Sequence, residues 1–283
     1  MEKLSFKQVQ ATCNEGRFFR YINWRDHLFV PPAIFLVWFF YRIKVSGNLV
    51  SYFSGIIAML AGILLAGNDK TLILIGAFGY ILFYFLDYVD GGVARLNKKS
   101  GIGGQYVDWL MHVLASVGTA CGLSIGAYSV AGNIMLPFGV LFVVASALNL
   151  DRYSFAWFSV CMYRQQRAVK GEQDLRPIAE DNLSQGKSWL NRLLNRTSIV
   201  IFHENNIIFM LPILAVINQY VTGPAFDFRV WLTVLGGVIY LPATLIDIWE
   251  LASSGRIEES YGNIFSDSHV PTLPEEHFFE TIE

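Results

Sequence analysis

The feature that most limits what this chain can fold into is a series of long apolar runs nearly free of charge. They lie at about residues 49–67, 71–88, 105–127, 132–162, 199–220 and 229–250. Each comes near or above the roughly 20 residues that a helix needs to cross the hydrocarbon core of a bilayer. Within that core every backbone N–H and C=O needs a partner in the chain itself, and a helix supplies one locally. The runs are too long for ordinary strands and lack strict two-residue alternation. The pattern therefore predicts an all-α, polytopic membrane protein with six transmembrane helices. Composition agrees, with only 16% of residues charged against roughly 25% in soluble domains.

A shorter apolar and aromatic segment at 28–40 carries Pro31-Pro32. It reads as an N-terminal amphipathic helix lying in the membrane interface. The positive-inside rule supports this over a seventh span. With 28–40 in the interface, the basic residues of the N-terminal region, of the loop at Arg95, Lys98 and Lys99, and of the 164–196 segment all fall on one side. The opposite loops then hold only Lys70 and Arg229. Six spans with both termini cytoplasmic is the result, as for an integral protein of a bacterial inner membrane. Residues 1–45 form a juxtamembrane arm, 46–252 one six-helix bundle, and 253–283 an acidic tail. The first 25 residues are polar and do not resemble a cleavable signal peptide. A net charge of −2 gives no case for a nucleic-acid partner. Cys13, Cys121 and Cys161 form no C-x-x-C pair and read as small packing residues.

Where the second and third spans meet the surface, the chain reads Asp87-Tyr-Val-Asp90-Gly91-Gly-Val-Ala94-Arg95, followed by Gly104, Asp108 and His112. On one helix, Asp87, Asp90, Gly91 and Ala94 fall at i, i+3, i+4 and i+7 and share a face. Gly104, Asp108 and His112 are successive i+4 neighbours on the next. Two antiparallel helices joined by a turn at 98–103 bring those faces together. Ionisable groups at membrane depth are expensive and usually functional. Oxygen ligands at this density suit a hard divalent cation such as Mg²⁺.

These residues resemble the signature of the CDP-alcohol phosphotransferase family, D-x2-D-G-x2-A-R-x7–8-G-x3-D-x3-D. Every fixed position matches except the last, where His112 replaces an aspartate. Gly47-Asn48-Leu-Val-Ser51 is similar to the P-N-x-x-T stretch seen in many members, without the proline and with serine for threonine. The motif covers 87–112, and the order of apolar segments extends the likeness to about 45–252. The resemblance implies transfer of a phosphate-linked group from a CDP-activated donor to an alcohol or lipid acceptor, with release of CMP. It implies Asp87, Asp90 and Asp108 as ligands of two ions, Mg²⁺ or Mn²⁺. It places Asn48, Ser51, Gly91, Ala94, Arg95 and Gly104 around the nucleotide, and it implies a homodimer among membrane lipids.

His112 stands where the family's general base is expected, and an imidazole near pKa 6.5 is a competent base at neutral pH. The alternatives are a base elsewhere, at Asp151 or His203, or a degenerate member acting as a membrane scaffold. A transporter is disfavoured, because the acids cluster at the interface and not at midplane. Asp151-Arg152, His203-Glu204-Asn205-Asn206, Asp247 and Glu250 are the other ionisable or amide groups in apolar runs. They read either as interhelical pairs or, for Arg152, His203, Asn205 and Asn206, as an acceptor pocket.

Overall fold

The computed structural model describes residues 4–15, 24–97, 102–149, 189–202, 204–221 and 223–253, and every regular element in them is helical. Helix α1 spans Phe6–Glu15, α2 Trp24–Arg42, α3 Gly47–Ala66, α4 Lys70–Leu96 and α5 Ile102–Ala131. A short 3-10 turn, Gly132–Ile134, leads into α6 over 135–149. Next come α7 (Trp189–Phe202), α8 (Glu204–Tyr220) and α9 (Phe228–Leu235). A π turn at Gly236–Tyr240 then leads into α10 (Leu241–Ser253). Four stretches are long and apolar enough to cross a membrane: α3, α4, the run Gly103–Asn149 and the run Phe228–Glu250. That is the pattern of a multi-pass membrane protein.

The run Gly103–Asn149 has 47 residues, which as a straight helix would reach about 70 Å at 1.5 Å per residue. The chain instead turns at Gly132, whose φ of +76° suits a residue without a Cβ. Helix α6 folds back on α5, and Ser124 Oγ donates to the Gly139 carbonyl at 3.4 Å.

Polar side chains start the helices. Ser5 and Gln8 form a reciprocal capping box at α1, with Ser5 N–H donating to Gln8 Oε1 at 2.8 Å. Ser46 caps α3, Asp69 caps α4 and Asp227 caps α9. In a bilayer, helices gain little by hiding apolar surface from equally apolar lipid, so close packing at small residues holds them together. Helix α3 lies between α4 and α5 on this basis. A Cβ on Gly76 would stand 2.8 Å from the Ala61 carbonyl oxygen, and one on Gly62 would stand 2.5 Å from that of Gly118. The outer face of α3, with Phe53, Ile56, Leu60 and Ile63, is exposed and apolar, as contact with lipid requires.

Two buried clusters result. The larger joins α4, α5, α6, α8 and the π turn through Tyr80, Phe83, Leu123, Phe142, Leu211 and Tyr240. The smaller sets Val9 of α1 and Val30, Ile34 and Val37 of α2 against Val50, Leu86, Val89 and Val93. The N-terminal arm thus buttresses the half of α4 that carries the aspartates.

Helix α2 differs from expectation. Phe35 and Phe39 are exposed opposite the buried Val30, Ala33 and Val37, so the helix is apolar on both faces and not amphipathic. Pro31 and Pro32 lie inside it without ending it, both on the exposed side. It starts beside α4, where Phe29 and Phe85 lie 6.0 Å apart between ring centroids. After it, the Val45 carbonyl accepts from Asn97 Nδ2 at 3.4 Å. The expected run 199–220 falls on the end of α7 and on α8, with residue 203 outside the described residues.

The two cations expected on the non-cytoplasmic side both satisfy helix C-termini, whose last carbonyls lack intrahelical partners. Lys70 Nζ donates to the carbonyls of Val221 at 2.7 Å and Gln219 at 3.3 Å. Arg229, only 1% exposed, holds both carboxylate oxygens of Asp227 at 2.9 and 2.7 Å. Its remaining nitrogen reaches the carbonyls of Leu65 and Gly67 at the end of α3.

Candidate functional site

The last three turns of α4 and the first three of α5 form the site, because both helices pack along α3 and are held to a common level by it. Helical periodicity puts Asp87, Asp90 and Ala94 on one face of α4, and Gly104, Asp108 and His112 on one face of α5. His112 Nε2 lies 3.0 Å from Asp87 Oδ1 and 3.5 Å from Asp108 Oδ1. The imidazole is 20% exposed, the Asp87 side chain 27% and the Asp108 side chain 44%, so the cluster is partly open. The edge of Phe83, one turn before Asp87, packs on the His112 ring at 5.4 Å and fixes its plane.

Asp90 takes a different path. It is 6% exposed, and its Oδ2 accepts a 2.5 Å hydrogen bond from Ser51 Oγ of α3. The first turn of α3 rests directly on this part of α4, since a Cβ on Gly47 would come within 2.8 Å of both Ala94 Cβ and the Asp90 carbonyl oxygen. Glycine at 47, where the P-N-x-x-T pattern has proline, permits that contact. Asn48 reaches across to α5, and a Cβ on Gly104 would stand 3.4 Å from Asn48 Oδ1. Asn48, Ser51, Ala94 and Gly104 therefore stand around the acids. Gly91 is lined differently. The exposed Arg95 folds its guanidinium over it, 3.2 Å from where a Cβ would be, so the room left by glycine is held by a cation.

The three ligand atoms that converge are those of Asp87, Asp108 and His112, all within 4.8 Å of one another. Asp90, expected beside Asp87 and Asp108 as a ligand, is engaged by Ser51. Two ionised carboxylates about 5 Å apart repel by roughly 3 kcal/mol at an effective dielectric of 20. A cation between them removes that repulsion. Two carboxylate oxygens and an imidazole nitrogen suit a divalent ion of the Mg²⁺–Mn²⁺ type, and the nitrogen favours Mn²⁺ more than an all-oxygen set does. The donor set thus fits the implied metal.

Asp151, Arg152 and His203 lie outside the described residues, as do Lys98, Lys99, residues up to 188 before α7, and the acidic tail after Ser253. Asn205 is described only as helical backbone. Asn206 is exposed in the first turn of α8, immediately before Ile207 and Ile208, which line a cavity beneath the site. Phe83 escaped the sequence reading, and so did the bond between Ser51 and Asp90. Phe83 precedes Asp87 by four residues, so its face was legible from helical spacing. Ser51 and Asp90 are 39 residues apart, and nothing in their local sequence announces the bond.

No protein-family model matches this chain, and no curated protein matches it.

Proposed function

We propose that the protein is a metal-dependent transferase that moves a phosphate-linked group from a CDP-activated donor to an alcohol and releases CMP. One observation carries the reading: Asp87 and Asp108 converge with His112 across two facing helices, beside a small-residue floor at Ala94 and Gly104 that leaves room for a nucleotide.

Each side chain then has a task. Asp87 and Asp108 would hold one Mg²⁺ or Mn²⁺, Asp90 is the acid available to a second, and His112 beside them is kept for the proton. When bound, such ions neutralise the pyrophosphate and stabilise charge on the transferring phosphoryl group. Asn48 offers an amide to the nucleotide where α3 meets α5. Arg95, exposed above Gly91, swings toward phosphate oxygens. His112 Nε2, the nitrogen that faces the carboxylates, takes the proton of the incoming alcohol. The alcohol oxygen forms a bond to the β-phosphorus, the bond from that phosphorus to the bridging oxygen breaks, and CMP leaves with the electron pair.

The same reading gives six crossings: α3, α4, α5, α6, the α7–α8 segment, and α9 with α10. The site and both termini then face the cytoplasm, α2 packs on α4 near the interface, and the bundle pairs as a homodimer. Purified protein with Mg²⁺ or Mn²⁺ is tested with CDP-diacylglycerol plus polar alcohols, and with CDP-linked alcohols plus diacylglycerol, while CMP is measured. Release of CMP that disappears in Asp108→Asn supports the proposal. No CMP from any pair, or full activity in Asp108→Asn, sinks it.

A further inference from the structure

Helix α2 presents one stripe to lipid. Leu28, Phe35, Phe39 and Ile43 are between 43% and 56% exposed, and their spacings of seven, four and four residues put them on one face. The opposite face packs on α4. Beyond its end, the Val45 carbonyl accepts from the side chain of Asn97, the residue that caps α4. Helix α4 has 27 residues, about 40 Å at 1.5 Å per residue, against a hydrocarbon core of about 30 Å. Its ends therefore reach the headgroup layers, and the turn joining α2 to α3 lies in the layer nearest Asp87 and Asp90.

That turn is built around a cation in a costly conformation. Lys44 N–H donates to the Tyr41 carbonyl at 3.2 Å and Val45 N–H to that of Phe40 at 3.0 Å. This pair of bonds is the Schellman motif, whose pivot is left-handed and usually glycine or asparagine. Here the pivot is Lys44 at φ +60°, the one non-glycine with positive φ among the described residues. Backbone held in a sparsely populated conformation points to a task for the side chain it carries. The Lys44 side chain is exposed, and so is that of Arg42 two residues earlier. The guanidinium carbon of Arg42 lies 5.3 Å from the centroid of the Trp38 ring, which Phe6 and Phe35 flank at 5.9 and 5.7 Å. The indole steadies the guanidinium through its π face and takes none of its N–H donors. Among the described residues, no carboxylate pairs with either cation.

Two steadied cations flank the exposed Ile43 at headgroup depth, above an apolar stripe. A soluble anion would meet the charges and leave Phe39 and Ile43 without a partner, whereas an anionic lipid meets both. We propose that the α2–α3 turn is a docking site for an anionic phospholipid, with its phosphate between Arg42 and Lys44 and an acyl chain along Phe39 and Phe35. The proposal does not depend on the transferase reading. It adjoins the candidate site, because Ser46 caps α3 and the first turn of that helix rests on Asp90.

The test uses the full chain in phosphatidylcholine nanodiscs carrying either brominated phosphatidylglycerol or brominated phosphatidylcholine. Quenching of Trp38 is read as the difference between each protein and its Trp38→Phe counterpart. A cation near an anionic surface contributes about fivefold in affinity. Half-quenching should therefore need roughly twentyfold less phosphatidylglycerol than phosphatidylcholine, and Arg42→Gln and Lys44→Gly should each cut that ratio about fivefold. Lys44→Gly also relieves the left-handed strain, so it should unfold no lower than the parent in phosphatidylcholine alone, and its lost preference is not a lost fold. Equal quenching by the two lipids, or a ratio unchanged in both variants, overturns the site. A ratio abolished by inorganic phosphate assigns the cations to a soluble anion and overturns the lipid. Each of these results leaves the transferase reading standing.

Discussion

Replacing Ser51 by alanine should weaken the site through Asp90. The Ser51 hydroxyl stands 2.5 Å from Asp90 Oδ2, at the short end of O–H···O geometry. Ser51 is 4% exposed and Asp90 6% exposed, so water does not replace the lost donor. A hydrogen bond to a charged group contributes about 1.5–3 kcal/mol. If all of that appears in the barrier, the rate falls about ten- to a hundredfold. Ser51→Thr keeps the hydroxyl and should stay near the parent. CMP release at saturating donor reads the barrier, and thermal unfolding in detergent reads the fold. A lower unfolding temperature with unchanged kcat assigns the bond to stability alone. Activity and unfolding temperature both unchanged in Ser51→Ala would refute the reasoning, because the bond would then contribute nothing.

Two further outcomes follow from other parts of the molecule. Arg229→Met leaves Asp227 buried without its partner and the last carbonyls of α3 uncapped, which should cost about 3–5 kcal/mol. Thermal unfolding measures it, and the double variant with Asp227→Asn should recover part of the loss. His112→Asp should keep CMP release and move the acidic limb of its pH profile downward, because a carboxylic acid loses its proton about two to three units below an imidazole. An unmoved limb removes His112 as the base.

Periodicity carried the reading furthest where one helix face has one job. Helical spacing aligns Asp87 on α4 with the α5 face of Asp108 and His112, so that convergence was legible in the sequence, while the path of Asp90 was not. The break near residue 132 was legible as well, where a glycine at positive φ now reverses the chain. Helix α2 was read as amphipathic because its apolar segment is short and carries Pro31-Pro32, and because the positive-inside rule favoured the interface. Both prolines stand on the exposed side, and the helix runs through them. The Ser51–Asp90 bond was not legible for a different reason. It is made by helices far apart in sequence, and hydropathy says which residues avoid water without saying which hydroxyls meet.

The place where this chain departs from the signature it resembles bears on how many metal ions it holds. With aspartate at 112 the cluster would carry four carboxylates, and two divalent cations would balance them. Here one of the four is an imidazole, and Asp90 already accepts from Ser51. The carboxylates that converge beside His112 are Asp87 and Asp108, one pair for one divalent ion, with Asp90 turned away to Ser51. Without nucleotide, the purified chain should therefore bind one Mn²⁺, measured by paramagnetic resonance of free and bound ion. A second should appear only when a diphosphate supplies further oxygens, and His112→Asp should raise the nucleotide-free stoichiometry towards two. Asp87→Asn should abolish the first ion. Two equally tight ions in the wild-type chain without nucleotide, or one ion indifferent to Asp87→Asn, would show that the charge count does not govern the site.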